Sequence, residues 1–151
     1  MEHNPQIFRS FFQNDTNIHV LQDETLILDG IRYYGSSWQC QWDGTGFYLE
    51  RGSDELKSKW VSIPEKTQVL ITHAPSVGDS LDDKPDDDLY KRVLKVKPVL
   101  HIFGHVHEGS HGVIHQTWTR LKTHETTFIK ASICDDEYRV VHIPIVFDLH
   151  L

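Results

Sequence analysis

The sequence predicts an α/β domain. Two observations carry that prediction. An apolar run of strand length, TQVLITH, is joined to a second, VLHIF, through an amphipathic helical stretch, and segments rich in Val, Ile, Thr and Phe flank this core. Strand, helix, strand in that order is a βαβ unit, so its two strands are expected to lie parallel and adjacent in one sheet. A chain of 151 residues is long enough for one core, and no repeat, low-complexity run or Pro/Gly-rich linker divides it.

Each element has a local reason. The opening MEHNPQIFRSFFQ lacks the basic start and apolar middle of a signal peptide, and no apolar run approaches a membrane span, so a cytoplasmic protein is expected. ETLILDGIRYYGSSW reads as two strands joined at Asp29-Gly30, a strong hairpin signal because both turn residues tolerate positive φ. SDELKSKWVSIP reads as a short helix: Ser53 caps it, Asp54 and Glu55 complement its positive end, Leu56 and Trp60 share a buried face, and Pro64 stops it. KPDDDLYKRVLKVKP reads as a better helix, acids leading and Lys91, Arg92 and Lys95 trailing, with Leu89, Val93 and Val96 on one face. The stretches GVIHQTWTRLKTHETTFIKASI and VVHIPIVFDL are expected to form β hairpins.

The formal charge of −7 argues against a nucleic-acid partner, because phosphate neutralisation needs clustered Lys and Arg. The composition, 38% apolar and 25% charged with a mean hydropathy of −0.42, is that of a globular chain and gives no sign of a membrane partner. Cys40 and Cys134 form no C-x-x-C pair, so two reduced structural thiols are expected. The 11 histidines are the oddity, and they direct attention to VLHIFGHVHEG, Val99 to Gly109.

In open α/β sheets ligands bind beyond the carboxyl ends of the strands. His73 closes one strand of the βαβ unit and His105 and His107 follow the other, so three imidazoles are expected at one sheet edge. Neutral imidazole suits zinc, iron or manganese. In extended chain, residues two apart point the same way, which would let His105 and His107 address one site or two neighbouring ions; Gly104 is expected to relieve crowding in the turn. On its own an H-x-H string has two readings, an ordinary surface or core pair and a ligand pair.

VLITHAPSVGDSLDD followed by KPVLHIFGHVHEG resembles the second half of the calcineurin-like metallophosphoesterase domain. LDGIRYYGSSWQ, SIPEKTQVLITHAP, HIFGHVHEG, KAS and IPIVFDL are similar, in order, to the fetal-brain-type subgroup of that superfamily. The resemblance implies the carboxy-terminal half of a β-sandwich flanked by helices, residues 1–151 forming a single partial domain without the amino-terminal metal-binding half. It implies His73 and His105 as ligands of one metal and His107 as a ligand of its neighbour. In the family two metals clamp a phosphate ester and activate water for in-line attack.

The family's Asp-x-His, Gly-Asp-x-x-Asp and Gly-Asn-His-Glu/Asp motifs, which precede the lone His, have no counterpart here, so no catalytic residue is carried over. GDSLD, Gly78 to Asp82, matches one of them as a string but follows His73, where a solvated turn is expected. Asp148 to His150 spells Asp-x-His within a terminal strand and is read as structural. The initial EHN lacks the required order, and Ser80 in GDSL has no Asp-x-x-His partner to activate it.

Other residues have quieter readings. His111 and His115 are expected near the site, at the surface or in contact with substrate, and His101 in the core or at a strand edge with its hydrogen bonds satisfied. HQTWTRLKTHETTF is longer than its family counterpart. Asp82, Asp83, Asp86, Asp87 and Asp88 suit a helix start and loop, and Tyr33, Tyr34, Trp38 and Trp42 suit packing. Three functions follow: a metal-dependent phosphoesterase acting on phosphodiesters, represented by half its domain; a non-catalytic remnant that binds one transition metal or a protein partner; or a structural fragment. Three imidazoles without a bridging carboxylate hold one divalent ion at most, against two in the complete family site, so little or no activity is expected from the isolated chain. An exposed apolar sheet face would favour self-association or docking of a complementing amino-terminal half.

Overall fold

The computed structural model describes residues 5–12, 14–40, 46–77, 85–107, 111–113 and 126–149. In chain order the elements are α1 (Pro5–Phe12), β1 (Glu24–Leu28), β2 (Ile31–Ser36), β3 (Gln39–Cys40), β4 (Tyr48–Leu49), α2 (Asp54–Ser62), β5 (Val69–Thr72), α3 (Asp87–Val96), β6 (Leu100–Phe103), β7 (Gly112–Val113) and β8 (Thr127–Lys130). Six strands form one sheet in the order β1-β2-β5-β6-β8-β7, while β3 and β4 pair separately. The four central strands β2, β5, β6 and β8 are mutually parallel, and antiparallel β1 and β7 close the edges. The domain is therefore α/β with a mixed sheet.

The β1–β2 hairpin turns at Asp29 and Gly30 with φ of 50° and 80°, the two positive values a two-residue type I′ turn requires. The βαβ unit is present as β5-α3-β6, with Leu70 opposite His101 and Thr72 opposite Phe103. Helix α2 starts at Ser53, whose hydroxyl accepts from the Leu56 amide, and stops at Ile63 before Pro64. Helix α3 starts at Asp86, whose carboxylate accepts from the Asp88 and Leu89 amides and from the Trp60 indole. One buried carboxylate thus caps α3 and ties it to α2.

Period-2 alternation assigns the sheet two faces. Tyr34, Leu70, His101 and Phe128 stand side by side in register on the face covered by α2 and α3. There Leu56, Trp60, Ile63, Leu89, Val93 and Val96 complete the core. Val69, Leu100, Ile102 and Ile129 belong to the opposite face, where Ile145 and Leu149 of the carboxy-terminal segment meet them. A cavity of about 360 Å³ remains between that segment and the sheet.

One hairpin expectation is corrected. β7 and β8 pair antiparallel, but residues 140–149 contain no strand, and only an isolated bridge joins Cys134 to Val140. Pro144 has no amide to donate, and β-enriched composition makes a strand only where a neighbouring strand accepts it. Helix α1 and the β3–β4 pair had no expectation. The expectations placed on Gly78–Asp82, Asp83, Trp42, His115, His150, the initial EHN and most of HQTWTRLKTHETTF lie outside the described residues. Among the described residues no helix is long and apolar enough to cross a membrane.

Candidate metal centre

His73 leaves β5 at its carboxyl end, where its amide donates to the Ser36 carbonyl at 3.2 Å and prolongs the parallel ladder by one residue. Strand β6 ends next door at Phe103, so the residues after it emerge at the same edge. His105 then adopts φ of +69°, and the Val106 amide donates to the Gly104 carbonyl at 2.9 Å. A bond across three residues with positive φ at the centre is a γ-turn of the rarer, strained hand. It brings His105 Nδ1 to 3.1 Å from His73 Nε2, with ring centroids 4.8 Å apart.

This turn corrects two expectations. The conformational demand falls on His105, not on Gly104, because a Cβ at Gly104 would meet nothing nearer than Ser132 Oγ at 4.0 Å. The chain at His105 is also not extended, so the rule that residues two apart point the same way does not operate here. His107 instead hydrogen-bonds through Nδ1 to the Asp135 carbonyl at 3.0 Å and packs edge-on against Tyr138. The structure brings the His73 and His105 rings into contact and holds His107 on a bond of its own.

The chemistry of the two parts differs. A carbonyl only accepts, so His107 carries its proton on Nδ1 and leaves the Nε2 lone pair available, the tautomer that metal-ligating histidines usually adopt. Two nitrogens 3.1 Å apart can share one ion at ordinary nitrogen–metal lengths of about 2.0–2.1 Å, subtending roughly a right angle. The donor set therefore fits a divalent transition metal. Although one side of His73 is open to solvent, burial of the rest of its ring holds its pKa below the usual histidine range, with help from the nearby His105 and His107. A neutral imidazole is the form a metal needs.

Residues with no motif complete the surroundings. Asp135, which holds His107, sits in a short loop closed by Arg139: its carboxylate accepts from the Glu137 and Arg139 amides and from Arg139 Nε. The Arg139 hydrogen bond pulls the Asp135 pKa down. Asp23 accepts from Ser36 and from the Trp38 indole while Lys59 approaches at 3.3 Å, so a carboxylate pins the end of β2 beside His73. His101 is fully buried with both ring nitrogens bonded. His111 donates through Nε2 to the Ile143 carbonyl and stacks on His142. Among the described residues no three His, Cys, Asp or Glu side chains converge as a ready ligand set. Cys40 and Cys134 are both free thiols, and burial pushes the Cys40 pKa up to about 11.

Comparison with known proteins agrees with the motifs. The chain is 42% identical over 142 residues to human metallophosphoesterase domain-containing protein 1, a match covering 89% of this chain and 40% of that protein; the mouse protein gives the same figures. The chain is homologous to a carboxy-terminal part of the metallophosphoesterase domain-containing proteins. A UPF0046 protein of Caenorhabditis elegans is 40% identical over 137 residues, covering 87% of this chain and 43% of the relative. The chain thus spans about two fifths of the length of the curated relatives it matches. No family model matches it.

Proposed function

We propose that this chain carries one wall of a divalent-metal centre for phosphate-ester hydrolysis, with phosphodiesters as the substrate class. The observation that supports this reading is the His73–His105 pair, 3.1 Å apart at the carboxyl ends of two adjacent parallel strands. Manganese, iron or zinc would be held by these two nitrogens, with His107 Nε2 turned toward a neighbouring position. When bound, such an ion polarises a phosphate oxygen and neutralises charge that builds up on it during displacement. The chain's own part is to keep His73 neutral, to hold His105 in its strained turn and to fix the His107 tautomer.

What its described residues do not add is a carboxylate. Among the described residues none joins the histidines as a ligand set, and the relatives are more than twice as long as the matched part. Activity then depends on carboxylates from the rest of a longer protein or from another chain, and the 151-residue chain alone binds one ion and hydrolyses little or nothing. A second reading is a non-catalytic metal- or partner-binding module, favoured by the exposed apolar side chains of residues 133–147. The two are separated by calorimetry and turnover. One Mn(II) or Zn(II) per chain is expected, with binding lost in His73→Ala and His105→Ala; binding that survives both substitutions sinks the proposed centre. Hydrolysis of bis(4-nitrophenyl) phosphate by the manganese-loaded chain, abolished by His105→Ala, would overturn the expected inactivity.

A further inference from the structure

We propose that His101 is the positioning residue of the metal centre: it clamps the loop that presents His73 from beneath the sheet edge. The inference rests on the reading of His73 and His105 as metal ligands. It comes from an asymmetry in how the two are held. His105 is placed by its own strained turn. His73 adds one last amide bond to the β5 ladder, and residues 74–76 beyond it have left the ladder and need another anchor.

The hydrogen bonds provide one. The Thr72 hydroxyl donates to the Ala74 carbonyl at 2.6 Å, across His73. Its single proton is then used, so the Thr72 oxygen accepts from His101 Nε2–H at 2.8 Å. With its proton on Nε2, neutral His101 accepts at Nδ1 from the Ser76 hydroxyl at 3.0 Å. One imidazole on β6 therefore holds the residues on both sides of His73, one of them reaching through to Ala74. Thr72, Ala74, Ser76 and Val77 are all buried, so no water competes for these bonds, and they define the path of the loop.

The ring has no freedom of its own. His101 lies between Phe103 and Phe128, with centroids at 5.5 and 5.8 Å, and none of its surface is open. Burial keeps it uncharged. Strand β6 thus carries a ligand at its end, His105, and a support for the other strand's ligand four residues earlier, His101. The rigid pairing of β5 with β6 transmits one to the other. An orienting group that does not touch the metal typically changes metal affinity about 10–100-fold.

Co(II) titration of the full 151-residue chain, followed by its visible absorption bands, tests this. Ser76→Ala removes one bond with little change of shape, and His101→Gln alters both. Val93→Ala, in the α3 core and away from the loop, serves as the destabilised control. All are compared at a temperature where circular dichroism shows each one folded. Ser76→Ala and His101→Gln are expected to weaken Co(II) at least about tenfold and to alter its band pattern, while Val93→Ala leaves both unchanged. Affinity and bands equal to wild type in Ser76→Ala and in whichever His101 variant folds would overturn the inference; so would an equal loss in Val93→Ala, which would make the effect one of stability alone. Absence of Co(II) binding by the wild-type chain itself would refute the underlying metal-centre reading, and the positioning role with it.

Discussion

Acid should weaken this fold through one side chain above all, and the amount can be worked from its burial. His101 is fully buried and its pKa is pushed down to about 3, because desolvation disfavours the imidazolium. In the unfolded chain the same group titrates near 6.5. Between those values the unfolded state binds the proton and the folded state does not, so stability rises with pH across the window and is lost as pH falls below about 6.5. At pH 4.5, two pH units below the unfolded value, the loss is about 3 kcal/mol, since each unit is worth about 1.4 kcal/mol. Marginal stabilities of about 5–15 kcal/mol make that a large fraction. Urea denaturation at pH 7 and pH 4.5, on wild type and His101→Gln, isolates it from the carboxylates, which titrate in both proteins. The wild type should lose about 3 kcal/mol more than the variant over this interval. Equal losses would show that His101 is protonated in the folded state or that the loop opens to admit water, and either would refute the buried, neutral assignment.

Asp86→Ala removes the α3 cap and orphans the buried Trp60 indole, so a loss of about 2–4 kcal/mol is expected in chemical denaturation, while Asp88→Ala, which gives up an ion pair with the exposed Lys91, should cost far less. The carboxy-terminal segment leaves Ile143 and Val146 largely exposed, at 80% and 91%, so the chain should self-associate in light scattering and bind a hydrophobic dye; Ile143→Lys with Val146→Lys should reduce both. A wild-type chain that is strictly monomeric and dye-silent would count against that surface as a docking face.

Much of the fold could be read from the chain because the relevant signals are local. The Asp29-Gly30 turn, the Ser53 cap and the Leu89, Val93, Val96 face each depend on a few neighbouring residues, and each forms where its pattern placed it. The β5-α3-β6 unit followed from the order of three such local patterns, strand, helix, strand. Residues 140–149 show the limit. Their composition is that of a strand, but a strand exists only as half of a pair, and among the described residues no partner strand lies beside them. The segment instead lays Ile145 and Leu149 on the sheet and leaves Val140, Ile143 and Val146 outward.

The centre divides in the same way. Histidines at the ends of two parallel strands were visible as a pattern, because strand ends and sheet edges follow from topology. Their relative aim was not, because it turns on one dihedral angle. A histidine at φ +69° is a sparsely populated state that costs on the order of 1–3 kcal/mol and persists only where surrounding structure over-determines it. Here Gly104 and Val106 close the turn, and the His73 ring meets His105 on arrival. The same turn ends the extended chain, and His107 beyond it bonds to the Asp135 carbonyl. Histidine tolerates this conformation better than a β-branched residue such as the following Val106 would. The strain is thus spent on placing an imidazole beside a second imidazole, an arrangement worth little to folding and consistent with the proposed metal centre.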